Sequence, residues 1–311
     1  MNSFFEIKNL TVSYLQKRRE VEALRNFNLS LSKGEIVGIV GESGSGKSTS
    51  MDAIMGLLPQ SARIKSGEVY LEGEEISSKI CKIRGKKISM IFQDPTKSLN
   101  PVMRIGKQIE EGFATPKPKQ RVLDLLRKVG ITDPETRYDQ YPYELSGGMC
   151  QRVFIAIALA ASPKILIADE PTTALDATIQ EQILSLLKEI QVQEKMSMII
   201  ISHDLNVIKS ICHRMLVLYA GQIVEEGRVQ EVLQNPLHPY TQALLEATPS
   251  FALKNNRKLK AIHGSPPSLS PPPIGCPFHE RCPYAVKICS SPPPLITTQN
   301  LQKYSCWKSK T

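Results

Sequence analysis

Between an apolar run, Ile36-Val37-Gly38-Ile39-Val40, and a helix-compatible stretch, Ser48 to Leu58, lies Gly41-Glu42-Ser43-Gly44-Ser45-Gly46-Lys47-Ser48. A glycine, four residues and then Gly-Lys-Ser is the pattern of a phosphate-cradling loop, and strand, loop and helix start are the context it needs. The glycines let the backbone curl until successive N–H groups face one anion. The new helix adds its positive end. Lys47 can then reach the β- and γ-phosphates of a nucleotide, and the Ser48 hydroxyl can ligate Mg²⁺. Gly41, Ser43, Gly44, Ser45, Gly46, Lys47, Ser48 and Thr49 form the candidate nucleotide-binding set.

A second element is Ile165-Leu166-Ile167-Ala168-Asp169-Glu170. An apolar strand here delivers carboxylates to its C-terminal edge, where open α/β sheets bind ligands. Asp169 is placed for the Mg²⁺ shell and Glu170 for polarising an attacking water. Paired acids have little structural excuse at that position, because an unpaired buried charge is costly.

The remaining pattern is that of an α/β protein. Phe4 to Leu10, Ala23 to Leu31 and Gly67 to Leu71 read as strands of a β-rich opening. Ile88 to Phe92, Ile165 to Ala168 and Met198 to Ser202 read as buried parallel strands. Ile179 to Ile190 is the helix between the last two. Met215 to Leu218 and Ile223 to Glu226 finish the sheet as a hairpin around Gly221. A more polar, helical region spans about residues 94–162. Within it Val122, Leu125, Leu126 and Val129 recur at helical spacing before Gly130, a helix stop. A short helix, Thr241 to Ala247, precedes a basic stretch. Ser265 to Pro273 reads as an extended, proline-stiffened spacer. No internal repeat is found. We expect one ATPase domain over 1–250 and a linker with a cysteine-rich extension over 251–311.

Between the two phosphate-site elements stands Leu145-Ser146-Gly147-Gly148-Met149-Cys150-Gln151-Arg152. With it, residues 1 to about 230 resemble the ATP-binding-cassette (ABC) ATPases. The resemblance implies an ABC-type P-loop NTPase core with a β-rich N-terminal subdomain, a helical subdomain and a small cysteine-rich C-terminal extension. It implies that Tyr14 stacks on adenine, that Gln93 senses Mg²⁺ and links the site to the helical region, and that Ser146, Gly147 and Gly148 cap the γ-phosphate bound by a facing subunit. Ala174-Leu175-Asp176 match the loop crossing the dimer interface, and His203 matches the switch histidine on the γ-phosphate. Lys47, Gln93, Glu170 and His203 are then the catalytic set, and Ser48, Gln93 and Asp169 the Mg²⁺ set. Two positions depart from the family pattern: Met149, where glutamine is common, and Cys150, where a basic residue is expected. Cys150 reads as an inert packed thiol.

Gln93-Asp94-Pro95, Ser98-Leu99-Asn100-Pro101, Tyr141-Pro142 and Asn235-Pro236-Leu237-His238-Pro239-Tyr240 with Thr241-Gln242-Ala243-Leu244-Leu245 resemble the dipeptide and oligopeptide importer branch, which also holds nickel importers. The segment between Ile105 and Val122 is short for that branch. The resemblance implies ATP hydrolysis driving peptide uptake, an identical or paralogous ATPase partner, two transmembrane permease subunits and, indirectly, an extracytoplasmic solute-binding protein. A nickel, metallophore or other small-solute importer is the alternative within the branch. A soluble ABC protein acting on nucleic acid or ribosomes is the rival from another class. The charge of +9 permits it, although the lysines, grouped at Lys82 to Lys87, Lys117 to Lys119 and Lys254 to Lys260, are not interleaved with aromatics. No nucleic-acid partner is expected. No apolar run reaches the roughly 20 residues of a membrane helix, and the N-terminus lacks a signal-peptide pattern. We therefore expect a peripheral protein at the cytoplasmic membrane face.

Four of the seven cysteines, Cys276, Cys282, Cys289 and Cys306, fall at the C-terminal end, with five, six and sixteen residues between them. In a cytosolic chain such clustering points to metal before disulfides. Cys276-Pro277 and Cys282-Pro283 are similar to ferredoxin-type ligation, and the spacing resembles the C-terminal [4Fe–4S] motif of some peptide-importer ATPases. Structural Zn²⁺ and free thiols remain open, with His279 a bystander.

Overall fold

The computed structural model describes residues 3–16, 19–113, 115, 118–173, 175–249, 251 and 260–308. Ala174, Lys117 and the basic stretch 254–259 lie outside the described residues. The chain forms two compact units: Met1–Ser32, Ile36–Ser78 and Ser202–Thr311 make the first, and Lys33–Glu35 with Lys79–Ile201 the second.

The first unit opens with β1 (Phe5–Gln16) and β2 (Arg19–Leu31), an antiparallel pair. β3 (Ile36–Val40) follows and is buried along its whole length. After the glycine loop comes α1 (Lys47–Met55), stopped by Gly56 at a φ of 64°. β4 (Ala62–Leu71) then pairs with β1, and β5 (Glu74–Glu75) with β4. β1, β2 and β4 all run several residues longer than their apolar cores suggest. They do so because only one face packs inward, and the polar residues at positions such as Glu20, Glu22, Arg63 and Lys65 pair across the other face.

The second unit begins with α2 (Ile80–Ile83), β6 (Ile88–Ile91) and α3 (Pro95–Ser98). The helical region follows: α4 (Ile105–Glu111), α5 (Lys119–Lys128), α6 (Pro134–Tyr138) and α7 (Gly147–Leu159). α7 is the hub, touching α3, α4 and α5. On α5 and at its end Val122, Leu126 and Val129 are buried as the spacing predicts, while Leu125 is half-buried and Leu123 is buried beside them. β7 (Ile165–Asp169), α8 (Ala177–Glu194) and β8 (Ser197–Ser202) complete it. β6, β7 and β8 pair in parallel, and every residue of the three is buried. Burying each large aliphatic side chain on them is worth about 1.5–3 kcal/mol.

Back in the first unit, α9 (Leu205–Ile211) leads to β9 (Arg214–Tyr219), parallel to β3, and to β10 (Gln222–Arg228), its hairpin partner. α10 (Val229–Gln234) and α11 (Pro239–Glu246) follow. The hairpin does not finish this sheet. β11 (Leu295–Thr297) and β12 (Lys303–Ser305) pair with each other, and β12 adds antiparallel to β10. Three-residue strands are too short to leave a period in the sequence. The proline-rich segment is not a free spacer either: the Leu269 carbonyl accepts from the Glu22 N–H, and the Pro273 carbonyl from the Arg25 guanidinium at 2.8 Å.

One buried carboxylate ties this end together. Glu225 on β10 is 1% exposed. It accepts from the Leu237 N–H at 2.8 Å, the His238 N–H at 2.9 Å and Gln302 Nε2 at 2.6 Å. Burial raises its pKa, and these donors oppose the rise. A glutamine there keeps the shape but turns an NH₂ toward one of the donors. Glu225→Gln should therefore lower stability by about 1–3 kcal/mol, read as a fall in Tm of the full chain.

Candidate nucleotide site and cysteine cavity

The phosphate loop is built as its residues require. Gly46 caps α1 at a φ of 105°, and a Cβ there would sit 2.7 Å from the Ala23 carbonyl oxygen. Only glycine allows that approach. The loop is pinned by the Gly221 N–H, which donates to the Ser45 carbonyl at 2.9 Å, and by the Ser45 N–H, which donates to the Glu42 carbonyl at 3.2 Å. Lys47 is 7% exposed, and its Nζ donates to the Gly41 and Glu42 carbonyls at 2.8 and 3.0 Å. The ammonium is thus held over the loop, positioned for an anion lying in it. Ser45 Oγ is buried with no hydrogen-bond partner among the described residues, as a ligand-facing hydroxyl would be. Ser43, Gly44 and Ser48 are exposed and Thr49 is half-buried. Tyr14 is also half-buried; its hydroxyl lies 3.2 Å from Thr49 Oγ1, which brings this aromatic to the start of α1. His203 is exposed, one residue beyond β8, and the turn after it is set by Asp204, whose side chain caps α9.

In the second unit Asp169 ends β7 and is 7% exposed. Glu170 follows at a φ of 48°, an unusual conformation for a non-glycine residue and one that clusters at functional sites. Its N–H donates to the Ile201 carbonyl at 2.9 Å. Its Oε2 accepts from Gln93 Nε2 and from Thr173 Oγ1, each at 2.9 Å. Gln93, expected on Mg²⁺, is therefore brought to Glu170. Thr173 was not legible as a site residue, since its bond depends on the turn that the backbone of Glu170 makes.

Ser146 caps α7, its Oγ accepting from the Met149 N–H at 3.3 Å. A Cβ on Gly148 would meet Ile179 Cγ2 at 2.8 Å, so packing requires that glycine. A Cβ on Gly147 would meet nothing within 4 Å. That glycine leaves open space before a helix N-terminus, which suits an approaching anion. Cys150 is 2% exposed, with its thiol donating to the Pro142 carbonyl, as expected of a packed residue.

Cys276, Cys282, Cys289 and Cys306 all line one cavity of about 540 Å³, together with His238, Phe278 and Trp307 among others. The Lys308 N–H donates to Cys306 Sγ at 3.4 Å. Such donors favour thiolate and are the usual surroundings of sulfur-ligated metal. Yet among the described residues no group of three or more His, Cys, Asp or Glu side chains is arranged to hold a metal ion. The thiols share a chamber without converging on one point. Burial pushes Cys276 up to about 11 and raises Cys282 and Cys306. Alkylation of the metal-free chain should hence label exposed Cys81 first. Labelling of Cys276 should keep accelerating as pH rises from 8 toward 11, because only the thiolate reacts. Peptide mass spectrometry across that range measures both.

Two family models match the chain: ABC transporter over residues 24–173, and the oligopeptide/dipeptide transporter C-terminal region over residues 224–289. The oligopeptide transport ATP-binding protein OppD of Bacillus subtilis is 47% identical, over 97% of this chain and 88% of its own. The dipeptide transport ATP-binding protein DppD of Haemophilus influenzae is 44% identical, over 98% and 95%. Among solved structures, the post-hydrolysis dimer of the ATP-binding cassette MJ0796 bound to ADP and Pi matches with a TM-score of 0.64 at 32% identity, covering 72% of this chain and 98% of that one. The chain belongs to the ABC-transporter ATPases, in the branch that carries the oligopeptide/dipeptide C-terminal region.

Proposed function

We propose that this chain is the ATP-hydrolysing subunit of an importer that takes di- and oligopeptides across the cytoplasmic membrane. The observation that carries the cargo class is the oligopeptide/dipeptide C-terminal region over residues 224–289, joined to relatives named for oligopeptide and dipeptide transport. The same findings favour this cargo over nickel or metallophore uptake and over a soluble role on nucleic acid or ribosomes. The ATPase pairs with an identical or paralogous cassette beneath two permease subunits, and an outside binding protein supplies peptide. No helix among the described residues is long and apolar enough to cross a membrane, so permeases would bring it to the cytoplasmic face. We divide the chain into a cassette, 1–250, and an extension, 251–311; the C-terminal family match spans that boundary.

Each site residue then has a task. The loop amides of Gly41 to Ser48 bind the phosphates, with Thr49 and Tyr14 beside them and Tyr14 offering its ring to adenine. Lys47 steadies phosphate charge. Ser48, Gln93 and Asp169 supply oxygen donors for Mg²⁺, which when bound neutralises developing charge on the phosphates. Glu170 takes a proton from the attacking water, oriented by its bonds from Gln93 and Thr173. His203 orients the γ-phosphate. Ser146, Gly147 and Gly148 serve the nucleotide on the partner cassette. In the complex purified from membranes and reconstituted with its binding protein, short peptides should stimulate hydrolysis. Glu170→Gln should keep nucleotide affinity while losing turnover by about 10²-fold or more. Turnover like that of the unmodified chain would refute the role of Glu170, and stimulation by nickel complexes but not peptides would refute the cargo.

The cysteine cavity is the site we assign to a [4Fe–4S] cluster on Cys276, Cys282, Cys289 and Cys306. A zinc ion with Zn–S bonds of about 2.3 Å would draw its sulfurs to within roughly 4 Å of one another. All four cysteines line one chamber, and we take its occupant to be the larger group. The cluster would cross-link the extension; loading it requires the raised thiols to lose their protons. Anaerobically purified chain should show visible absorption and bound iron, both lost in Cys289→Ser. Zinc without iron in that preparation would reverse the assignment.

A further inference from the structure

Arg281 lies in the short turn between Cys276 and Cys282, and its side chain is 5% exposed. Its guanidinium does not face the cysteines. Nη1 donates to Glu42 Oε2 at 2.7 Å and Nη2 to Glu42 Oε1 at 3.1 Å, a two-pronged pair with the second residue of the phosphate loop. The remaining donors are also used. Nη1 reaches the Tyr219 hydroxyl at 3.0 Å, Nε the His263 carbonyl at 2.9 Å and Nη2 the Ile262 carbonyl at 3.3 Å. The guanidinium carbon lies 5.7 Å from the Tyr219 ring centre and 5.9 Å from that of Phe278. A fixed fork of this kind is not one that lysine reproduces.

Glu42 is held at its other ends too. Its N–H donates to the Tyr240 hydroxyl at 2.9 Å, and its carbonyl accepts from Lys47 Nζ at 3.0 Å. Tyr240, Tyr219 and Phe278 pack as a three-ring cluster, with centroids 4.4 to 5.4 Å apart. Phe278 also lines the cysteine cavity. The loop that cradles phosphate is therefore fixed from outside by the C-terminal extension. There is an electrostatic side to this as well. A carboxylate inside a loop that binds a polyanion repels its ligand, and Glu42 is only 25% exposed, so water screens it incompletely.

We propose that Arg281 is a positioning residue of the ATP site: it fixes Glu42, cancels that residue's charge, and so lets the cysteine-rich extension set nucleotide affinity. Arg281 touches no reacting atom and acts through Glu42. The effect should fall on binding in ground and transition state alike, raising KM for ATP and leaving kcat at saturation near its original value.

The test uses the full-length chain, a fluorescent ATP analogue with Mg²⁺, and steady-state hydrolysis. Arg281→Met should weaken nucleotide binding about tenfold or more, as expected for losing a charge-assisted pair. Adding Glu42→Ala to that variant should restore part of the loss, because the uncompensated carboxylate is then gone. Arg281→Lys, which keeps the charge but not the fork, should fall between the two. Unchanged affinity in Arg281→Met would overturn the proposal. So would a double variant whose loss is the sum of the two single losses, or, should Arg281→Met not fold, an Arg281→Lys chain that binds like the original. The proposal rests on the loop being the ATP site. Lys47→Ala checks that separately: if it binds nucleotide normally the site itself is misassigned, whereas normal binding by the Arg281 variants alone removes only the clamp.

Discussion

Strands buried on both faces leave polar chemistry one place to stand, and that constraint organises this protein. β3, β7 and β8 are buried from end to end. None can carry a charged group in its middle without stranding it in a low-dielectric interior. The groups we assign to phosphate therefore follow the strand ends. Gly41 comes directly after β3, Asp169 is the last residue of β7, and His203 follows β8. The backbone there must turn sharply, which accounts for the left-handed conformation of Glu170 as well as for the glycines of the loop.

Away from those strand ends, two buried polar nodes give the C-terminal part its shape. Glu225 gathers β10, the entry to α11 and the residue ahead of β12 onto one carboxylate. Arg281 gathers the 262–263 backbone, Tyr219 and Glu42. Both satisfy the rule that a buried charge must be met by donors or by its opposite. Both are also single residues whose partners lie far along the chain, so each works as a staple across sequence distance. Apolar packing joins the same parts: Phe278 sits against Tyr219 and Tyr240, and Tyr304 and Cys306 cluster with Leu237.

What could be read in the sequence follows from this. The phosphate loop, the Asp169-Glu170 step and the buried strands are contiguous, so a short window holds the whole signal. Tyr14, Gln93 and His203 were legible only through resemblance, because one residue in a loop carries no periodicity. The bond from Thr173 to Glu170 stayed hidden although the two are neighbours, since it depends on a backbone turn that composition does not reveal. The pairing of Arg281 with Glu42 spans 239 positions, and nothing near either residue announces the other. On α5, Leu123 and Leu125 flank the inward stripe on opposite sides, and packing buried the former more fully. The proline-rich segment read as a tether because its own residues are spacer-like; its docking is decided by donors on β2.

The position of β12 sets a timetable for biosynthesis. β10 is made well before residues 303–305, yet those residues cover its outer edge. Until they emerge from the ribosome, a row of unpaired amides and carbonyls faces the solvent, and such an edge recruits other strands. The nascent cassette must therefore wait, with that flank open, for residues far downstream of β10 to arrive. A message cut short just ahead of residue 303 would leave that side of β10 adhesive.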